Sequence, residues 1–495
     1  MFWMRGFSIT NVLIACFAVF ACWRGFTRQS RGANSVGRTR DKDVERPKYY
    51  IPTKNIWHLS HVIQAFDRAG YDLVRNDNYT DDWHVMWSYH NPFYPREGEP
   101  DLPSLIKKLR PEQKVNHIPG ASFFTSKVEL AKASGKFDFV PKSFVVPQQY
   151  DEFLEFHESQ PKGTTWVKKG AKHRGVEVVD PYDQDLKNKG QEVFVQQFVR
   201  PYLIDGHAWD MGIYVAVTSL NPLRAYYYDN ILLRFCSLKF EEDLNKAHRD
   251  SYVVEDDYIP PWGVESLRKY YVWGLSSINV LRAYFSDQEG VDIDKLMDKA
   301  LRSINELLVN FEPTLASSAL RHPHGRKSFF SLYRVDFLID RNFQPWLTEV
   351  NQSPNLSSLH TKDLSNMFER IALSLMSLMG FMPGGLHHPH TTERDLEVIA
   401  HSNEIDIAYD ICSKCKQDCG SSPKCMLCRR CRSPSQSSMI REMISEHRNR
   451  QGFIRLYPQS SRLEPESGGA RAQGKNNDLI REWIALKCRH DYTWC

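Results

Sequence analysis

Residues 336–354 read Asp-Phe-Leu-Ile-Asp-Arg-Asn-Phe-Gln-Pro-Trp-Leu-Thr-Glu-Val-Asn-Gln-Ser-Pro. An acidic residue opens one apolar run, a Pro-containing turn follows, and a second run ends in Glu349-Val350-Asn351. Side chains alternate along a strand, so Glu349 and Asn351 share a face. If the two runs pair as a hairpin, Asp336 joins them and the set is all oxygen. Few carboxylates and only oxygen donors suit Mg²⁺ held jointly with substrate phosphates. The competing reading is a hairpin whose polar face is solvated. Apolar flanks and the immediate Pro354-Asn355 favour the ligand reading.

Cationic and polar residues upstream could serve the phosphates. Lys168 lies at the end of a strand-like run and precedes a basic loop that contains Arg174 and Gly175. Such a loop can offer backbone N–H groups and a point charge to an anion, although a solvated basic loop has the same composition. Gln196, Gln197, Phe198 and Val199 end a short apolar strand, an edge against which a nucleotide base can sit, or an ordinary strand. Asp210 opens the next strand and Arg234 closes another. Either reads equally as a surface charge.

The elements that must carry these residues mix strands and helices. Strands are predicted at 82–87, 139–146, 164–168, 176–179, 192–199, 211–219 and 223–233, and helices at 61–69, 149–157, 267–281, 293–311 and 362–379. This pattern predicts an α+β fold with antiparallel sheets. The expected division is an N-terminal apolar segment over 1–24, a basic linker over 25–48, α/β lobes over 49–161, a main domain over 162–383 and a Cys-rich C-terminal region over 384–495.

A chain of 495 residues suits several domains, and its formal charge of +4 is too small to argue for nucleic acid. Residues 6–23 carry no charge and could anchor the chain in a membrane or form a signal peptide. Arginines crowd their C-terminal side, which predicts a single-pass protein with its body in the cytosol. Eight cysteines fall at 412, 415, 419, 425, 428, 431, 488 and 495. The pairs Cys412/Cys415 and Cys425/Cys428 have Zn²⁺-site spacing, and an even count equally fits disulfides.

Taken in order, Pro119-Gly120, Pro201 to Asp210, Arg234-Phe235 and the 336–354 hairpin resemble the tubulin tyrosine ligase-like family of amino-acid ligases, over about Trp57 to Met379. The resemblance implies an ATP-grasp fold, in which two sheets clamp ATP. Carried over by position, Asp336, Glu349 and Asn351 are the Mg²⁺ ligands, and Lys168 the phosphate lysine. Arg174 and Gly175 belong to the phosphate loop, and Gln196 to Val199 to the adenine hinge. Asp210 lies near ribose and phosphates, Arg234 serves phosphate or acceptor, and Lys127 is the lysine after the Pro-Gly turn. Lys168, Arg234 and Glu349 are thereby the expected catalytic residues. The implied reaction joins free glutamate to tubulin tails at the expense of ATP. Glycine or tyrosine ligation, a non-tubulin acceptor, or a catalytically impaired nucleotide-binding or microtubule-binding scaffold are the alternatives. The chain departs from the family at Lys169 (usually proline), His173, Ala208-Trp209 (usually Lys-Phe) and Gly212 (usually arginine).

Overall fold

The computed structural model describes residues 45–170, 175–188, 193–271, 276–288, 291–358, 364–415, 419, 423–459 and 471–495. Arg174 and residues 6–23 lie outside them. Residues 47–495 form one compact unit.

Three sheets organise this unit. The first comprises β1 (Lys48–Tyr50), β2 (Asp72–Val74), β3 (Val85–Met86) and β4 (Lys114–Val115), all parallel in the order β2-β1-β3-β4. The helix Ser60–Arg68 makes the crossover from β1 to β2, as parallel strands require. It buries Val62, Ala65 and Phe66, and Phe66 stacks on Tyr49 at 4.2 Å.

The second sheet is antiparallel: β5 (Ser143–Val146), β6 (Trp166–Gly170), β7 (Val176–Val179) and β8 (Val193–Gln197), ordered β5-β8-β6-β7. Phe153 of the helix Tyr150–Glu158 packs against Trp166 and Phe144 on one face. On the other face Val128 and Ala131 of the helix Lys127–Lys132 pack against Val145 and Phe194.

The third sheet is also antiparallel, with β9 (Trp209–Leu220), β10 (Leu223–Phe235), β11 (Ser331–Ile339), β12 (Pro345–Gln352) and β13 (Phe453–Tyr457) in the order β12-β11-β9-β10-β13. Every residue of β9 is buried. On one face Met211, Ile213 and Val215 meet the helix Ile293–Ala319. On the other, Tyr214 and Ala216 meet the helix Ser365–Leu378. Cover on both faces is why β9 and β10 read as long apolar runs rather than alternating ones.

Two helices differ from expectation. The 293–311 helix continues to Ala319 through Pro313, because Leu315 and Ala319 extend its buried stripe, and that packing outweighs the hydrogen bond proline removes. The 267–281 helix is instead two pieces, Glu265–Arg268 and Ser277–Ser286, the second capped by Ser276.

The Cys-rich region is tied to the third sheet. It supplies β13, whose Phe453 registers with Tyr228 of β10. Its helix Pro434–Asn449 sends Glu446 and Glu442 to Arg224 of β10, at 2.9 Å each, and the Tyr226 hydroxyl donates to Glu446 at 2.8 Å. Its eight cysteines form four disulfides, Cys412–Cys428, Cys415–Cys425, Cys419–Cys431 and Cys488–Cys495. The zinc expectation is therefore corrected. The two C-x-x-C pairs cross-link to each other, and a sulfur in a disulfide is no thiolate ligand. Among the described residues no group of three or more His, Cys, Asp or Glu side chains is gathered as a metal site, in the Cys-rich region or elsewhere.

The membrane expectation is corrected too. Among the described residues no helix is long and apolar enough to cross a membrane. That finding stands against the single-pass assignment and the cytosolic topology argued from it; residues 6–23, on which the assignment was placed, lie outside the described residues.

Arg224 is 3% exposed in its side chain and faces two carboxylates. Stripping one partner from a buried pair leaves uncompensated charge, at a cost of about 3–5 kcal/mol. Arg224→Ala should lower the urea midpoint accordingly. A midpoint equal to wild type would show that this clamp does not hold the Cys-rich region to the sheet.

Candidate active site

A cavity of about 490 Å³ opens between the second and third sheets. Strand register decides which side chains enter it. Along β6, Trp166 points to the helix-covered core, so Lys168 shares its face, while Val167 and Lys169 face the cavity. Lys168 pairs with Glu177 of β7 at 3.4 Å and does not line the cavity. Lys169 does line it, and its Nζ donates to Gln196 Oε1 at 2.7 Å. The lysine that β6 presents to the cavity is thus Lys169, one residue on from Lys168. Two adjacent apolar residues, Trp166 and Val167, conceal the register in the sequence. Burial pushes the Lys169 ammonium down to about 8; Lys127 repels it further and Glu349 opposes the shift.

Gln196, Gln197, Phe198 and Val199 all line the cavity. Gln196 is fixed by its donation to Ser143 Oγ at 2.9 Å. The main-chain N–H groups of Gln197 and Phe198 donate to Lys142 O and Thr165 O at 2.8 and 2.9 Å. These two amides hold the edge in place and are committed within the protein. Phe198 stacks on Phe240 at 6.4 Å, an apolar wall. Gly175, at φ +131°, also lines the cavity, next to the segment that contains Arg174.

The acidic side comes from the third sheet. Neighbouring strands place Arg234 opposite Asp210, Gly212 opposite Asp336, and Asp336 opposite Glu349. Side chains on cross-strand partners project to the same face. A bulge after Asp336 makes Thr348 the extra residue of β12, and Thr348 Oγ1 donates to Asp336 O at 3.0 Å. Bulges redirect side chains in this way beside functional sites. Arg234 grips Asp210 in a two-point pair at 2.9 and 2.6 Å and reaches Asp336 Oδ2 at 3.2 Å. Asn351 Nδ2 donates to the same Oδ2 at 3.0 Å. Lys127, the first residue of the helix Lys127–Lys132, pairs with Glu349 at 3.3 Å.

Burial raises the Asp210 carboxyl to about 6 against the pull of Arg234. Asp336 is equally buried, yet Arg334 and Arg234 hold it below the usual carboxylate range. Arg334 and Lys169 are the site residues that their sequence context does not single out. Cys236 also lines the cavity, where burial pushes its thiol up to about 12, so it is no nucleophile near neutral pH.

A sequence profile described as "Tubulin-tyrosine ligase family" matches residues 106–385. The chain belongs to the tubulin-tyrosine ligase family. It is 33% identical over 454 residues to a Caenorhabditis elegans protein named probable tubulin polyglutamylase ttll-15, covering 88% of this chain and 84% of that one. It is 28% identical to human tubulin monoglutamylase TTLL4 over 70% of this chain, and to mouse tubulin polyglutamylase TTLL5 over the same share. It spans only 29% and 26% of the lengths of those two proteins. Membership implies an ATP-grasp-like α+β fold, and ligases of this family use ATP and Mg²⁺.

The residues present fit that metal. Asp336 and Glu349 line the cavity from paired strands, and Asn351 is hydrogen-bonded to Asp336, which gives a hard, oxygen-bearing set with two carboxylates.

Losing a charged hydrogen-bond partner removes about 1.5–3 kcal/mol, roughly ten- to hundredfold in affinity. Lys169→Ala should weaken ATP binding by that factor in calorimetry, and Lys168→Ala by less than about threefold. The reverse order would refute the register argument. Because phosphate favours the ammonium form, wild-type affinity should be highest below pH 8 and fall as pH rises through it. Lys169→Arg, charged throughout, should abolish that inflection.

Proposed function

We propose that this chain is an ATP-dependent ligase that adds glutamate to glutamate side chains of tubulin tails. The observation that carries the reading is one cavity between two antiparallel sheets that sets Lys127, Lys169 and Arg234 against Asp336 and Glu349, with Asn351 hydrogen-bonded to Asp336 behind them. The names of its relatives, which include mono- and polyglutamylases, support glutamate as the added residue.

In this reading the acceptor carboxylate oxygen attacks the γ-phosphorus, the bond to ADP breaks, and an acyl phosphate forms on the acceptor. The amine of free glutamate then attacks the acyl carbon. Phosphate leaves, an amide forms, and the amine proton passes to solvent. Both steps need alignment and charge neutralisation rather than an enzyme nucleophile. Lys169 and Arg234 are placed to hold phosphate oxygens from opposite sheets, and the edge at Gln196 to Val199 to seat the base. Asp336, Glu349 and Asn351 would hold Mg²⁺, which supplies further charge neutralisation on the phosphates when bound. Lys127 keeps the Glu349 carboxylate in place.

A second reading keeps the chemistry and changes the acceptor. Four disulfides tie the C-terminal region, and such bonds persist where thiols are oxidised, a setting in which the acceptor glutamate would belong to a protein other than tubulin.

Incorporation of labelled glutamate into tubulin tests the first reading. Wild type should incorporate it, and Glu349→Gln should fall by more than about a hundredfold, since a metal's charge stabilisation is worth several kcal/mol. Equal incorporation by both would refute the metal assignment. Wild type that binds ATP yet leaves tubulin unlabelled would refute the tubulin acceptor.

A further inference from the structure

Gly212 and Arg334 occupy neighbouring strands and share one volume. The β9–β11 register sets Gly212 opposite Asp336 and Tyr214 opposite Arg334. A Cβ built on Gly212 would lie 2.9 Å from Arg334 Cδ, 3.1 Å from its Cγ and 2.9 Å from Asp336 Oδ1. The arginine stem therefore lies across position 212. Any larger residue there would displace either the stem or the carboxylate. The guanidinium so delivered makes a two-point pair with Asp336, Nε to Oδ1 at 2.7 Å and Nη2 to Oδ2 at 2.8 Å. Fork-shaped pairs of this kind fix the plane of a carboxylate as well as its charge.

Charge balance gives the pair a second role. Asp210 and Asp336 are both buried, and Arg234 contacts both. One guanidinium cannot neutralise two buried carboxylates, and an unpaired buried charge is costly. With Arg334 the count becomes two against two. Arg334 does not line the cavity. It acts through Asp336, from the side away from the ligand.

We propose that Arg334 is a positioning residue of the metal-facing carboxylate, and that it delivers from β11 the cation that β9 lacks at Gly212. This rests on the ligase reading only for its activity arm. Partners that orient a metal ligand are worth about 10- to 100-fold in metal affinity or activity.

The test measures Mg²⁺ affinity by calorimetry on the full chain with a non-hydrolysable ATP analogue, glutamate incorporation, and urea melts. Arg334→Gly should weaken Mg²⁺ binding by about tenfold or more. Arg334→Lys, which keeps charge and loses the fork, should fall between that variant and wild type. Gly212→Ala should weaken binding although Arg334 is retained, because its Cβ displaces the stem. The double variant Gly212→Arg/Arg334→Gly restores a guanidinium from the other strand and should recover Mg²⁺ affinity to within about threefold, a rescue that general loss of packing would not produce.

Wild-type Mg²⁺ affinity in Arg334→Gly would overturn the proposal, and so would a folded double variant no better than Arg334→Gly. If Arg334→Gly fails to fold, the comparison of Gly212→Ala and Arg334→Lys with wild type decides, and unchanged Mg²⁺ affinity in both overturns it. A wild-type chain that binds Mg²⁺ and the analogue but leaves tubulin unlabelled refutes the acceptor reading, while the binding arm still judges Arg334.

Discussion

Two buried carboxylates on adjacent strands, Asp210 and Asp336, must be held side by side, and the third sheet is arranged around that constraint. Arg234 grips the first and reaches the second, while Arg334 and Asn351 complete the second. A buried charge survives only when paired and hydrogen-bonded. The pairing in turn needs the strands in one register, because a slip of one residue would turn each side chain to the opposite face. The helices Ile293–Ala319 and Ser365–Leu378 pin that register by burying both faces of β9. Packing far from the cavity thus sets which oxygens face it.

Much of this is legible in the sequence, and the reasons are local. The 336–354 hairpin carries period-two apolar residues, a proline turn and polar residues of one parity, so the residue pattern alone puts Asp336, Glu349 and Asn351 on one side. Asp340 builds the turn by accepting from the Asn342 and Gln344 N–H groups at 2.8 and 2.9 Å, which is turn chemistry a sequence displays. The side that Lys168 faces is illegible for the opposite reason. In Trp-Val-Lys-Lys neither parity is purely polar, and only the side on which the helix Tyr150–Glu158 packs decides that Lys169 faces the cavity. Arg334 is illegible because its meaning depends on a glycine 122 residues earlier, which becomes its neighbour only through β9–β11 pairing.

The C-terminal region shows a similar limit. Its cysteine spacing suits zinc or disulfides equally, and the choice depends on which sulfurs the backbone brings together. Cys412 and Cys428 approach to 5.5 Å between Cα atoms, Cys415 and Cys425 to 5.7 Å, distances a disulfide spans. Nor is the region an appendage. An edge strand exposes unpaired backbone groups, and β13 covers the outer edge of β10 while Arg224 anchors the helix behind it. A boundary at residue 384 drawn from composition cuts through a sheet that the chain completes some seventy residues later.

In the proposed arrangement charge also favours Lys169 over a second fixed guanidinium on the side that would take the phosphates. Lys127 and Lys169 both face the cavity; burial first, and Lys127 after it, depresses the Lys169 ammonium, and Glu349 opposes them. An ammonium titrating near 8 is poised so that an arriving phosphate, by favouring the charged form, secures its proton. An arginine there would stay charged without a ligand and repel Lys127 at every physiological pH. The third sheet is built the other way, with guanidiniums that never titrate holding Asp210 and Asp336. The cavity therefore carries an adjustable ammonium on the second sheet and fixed guanidiniums on the third, where they hold two carboxylates.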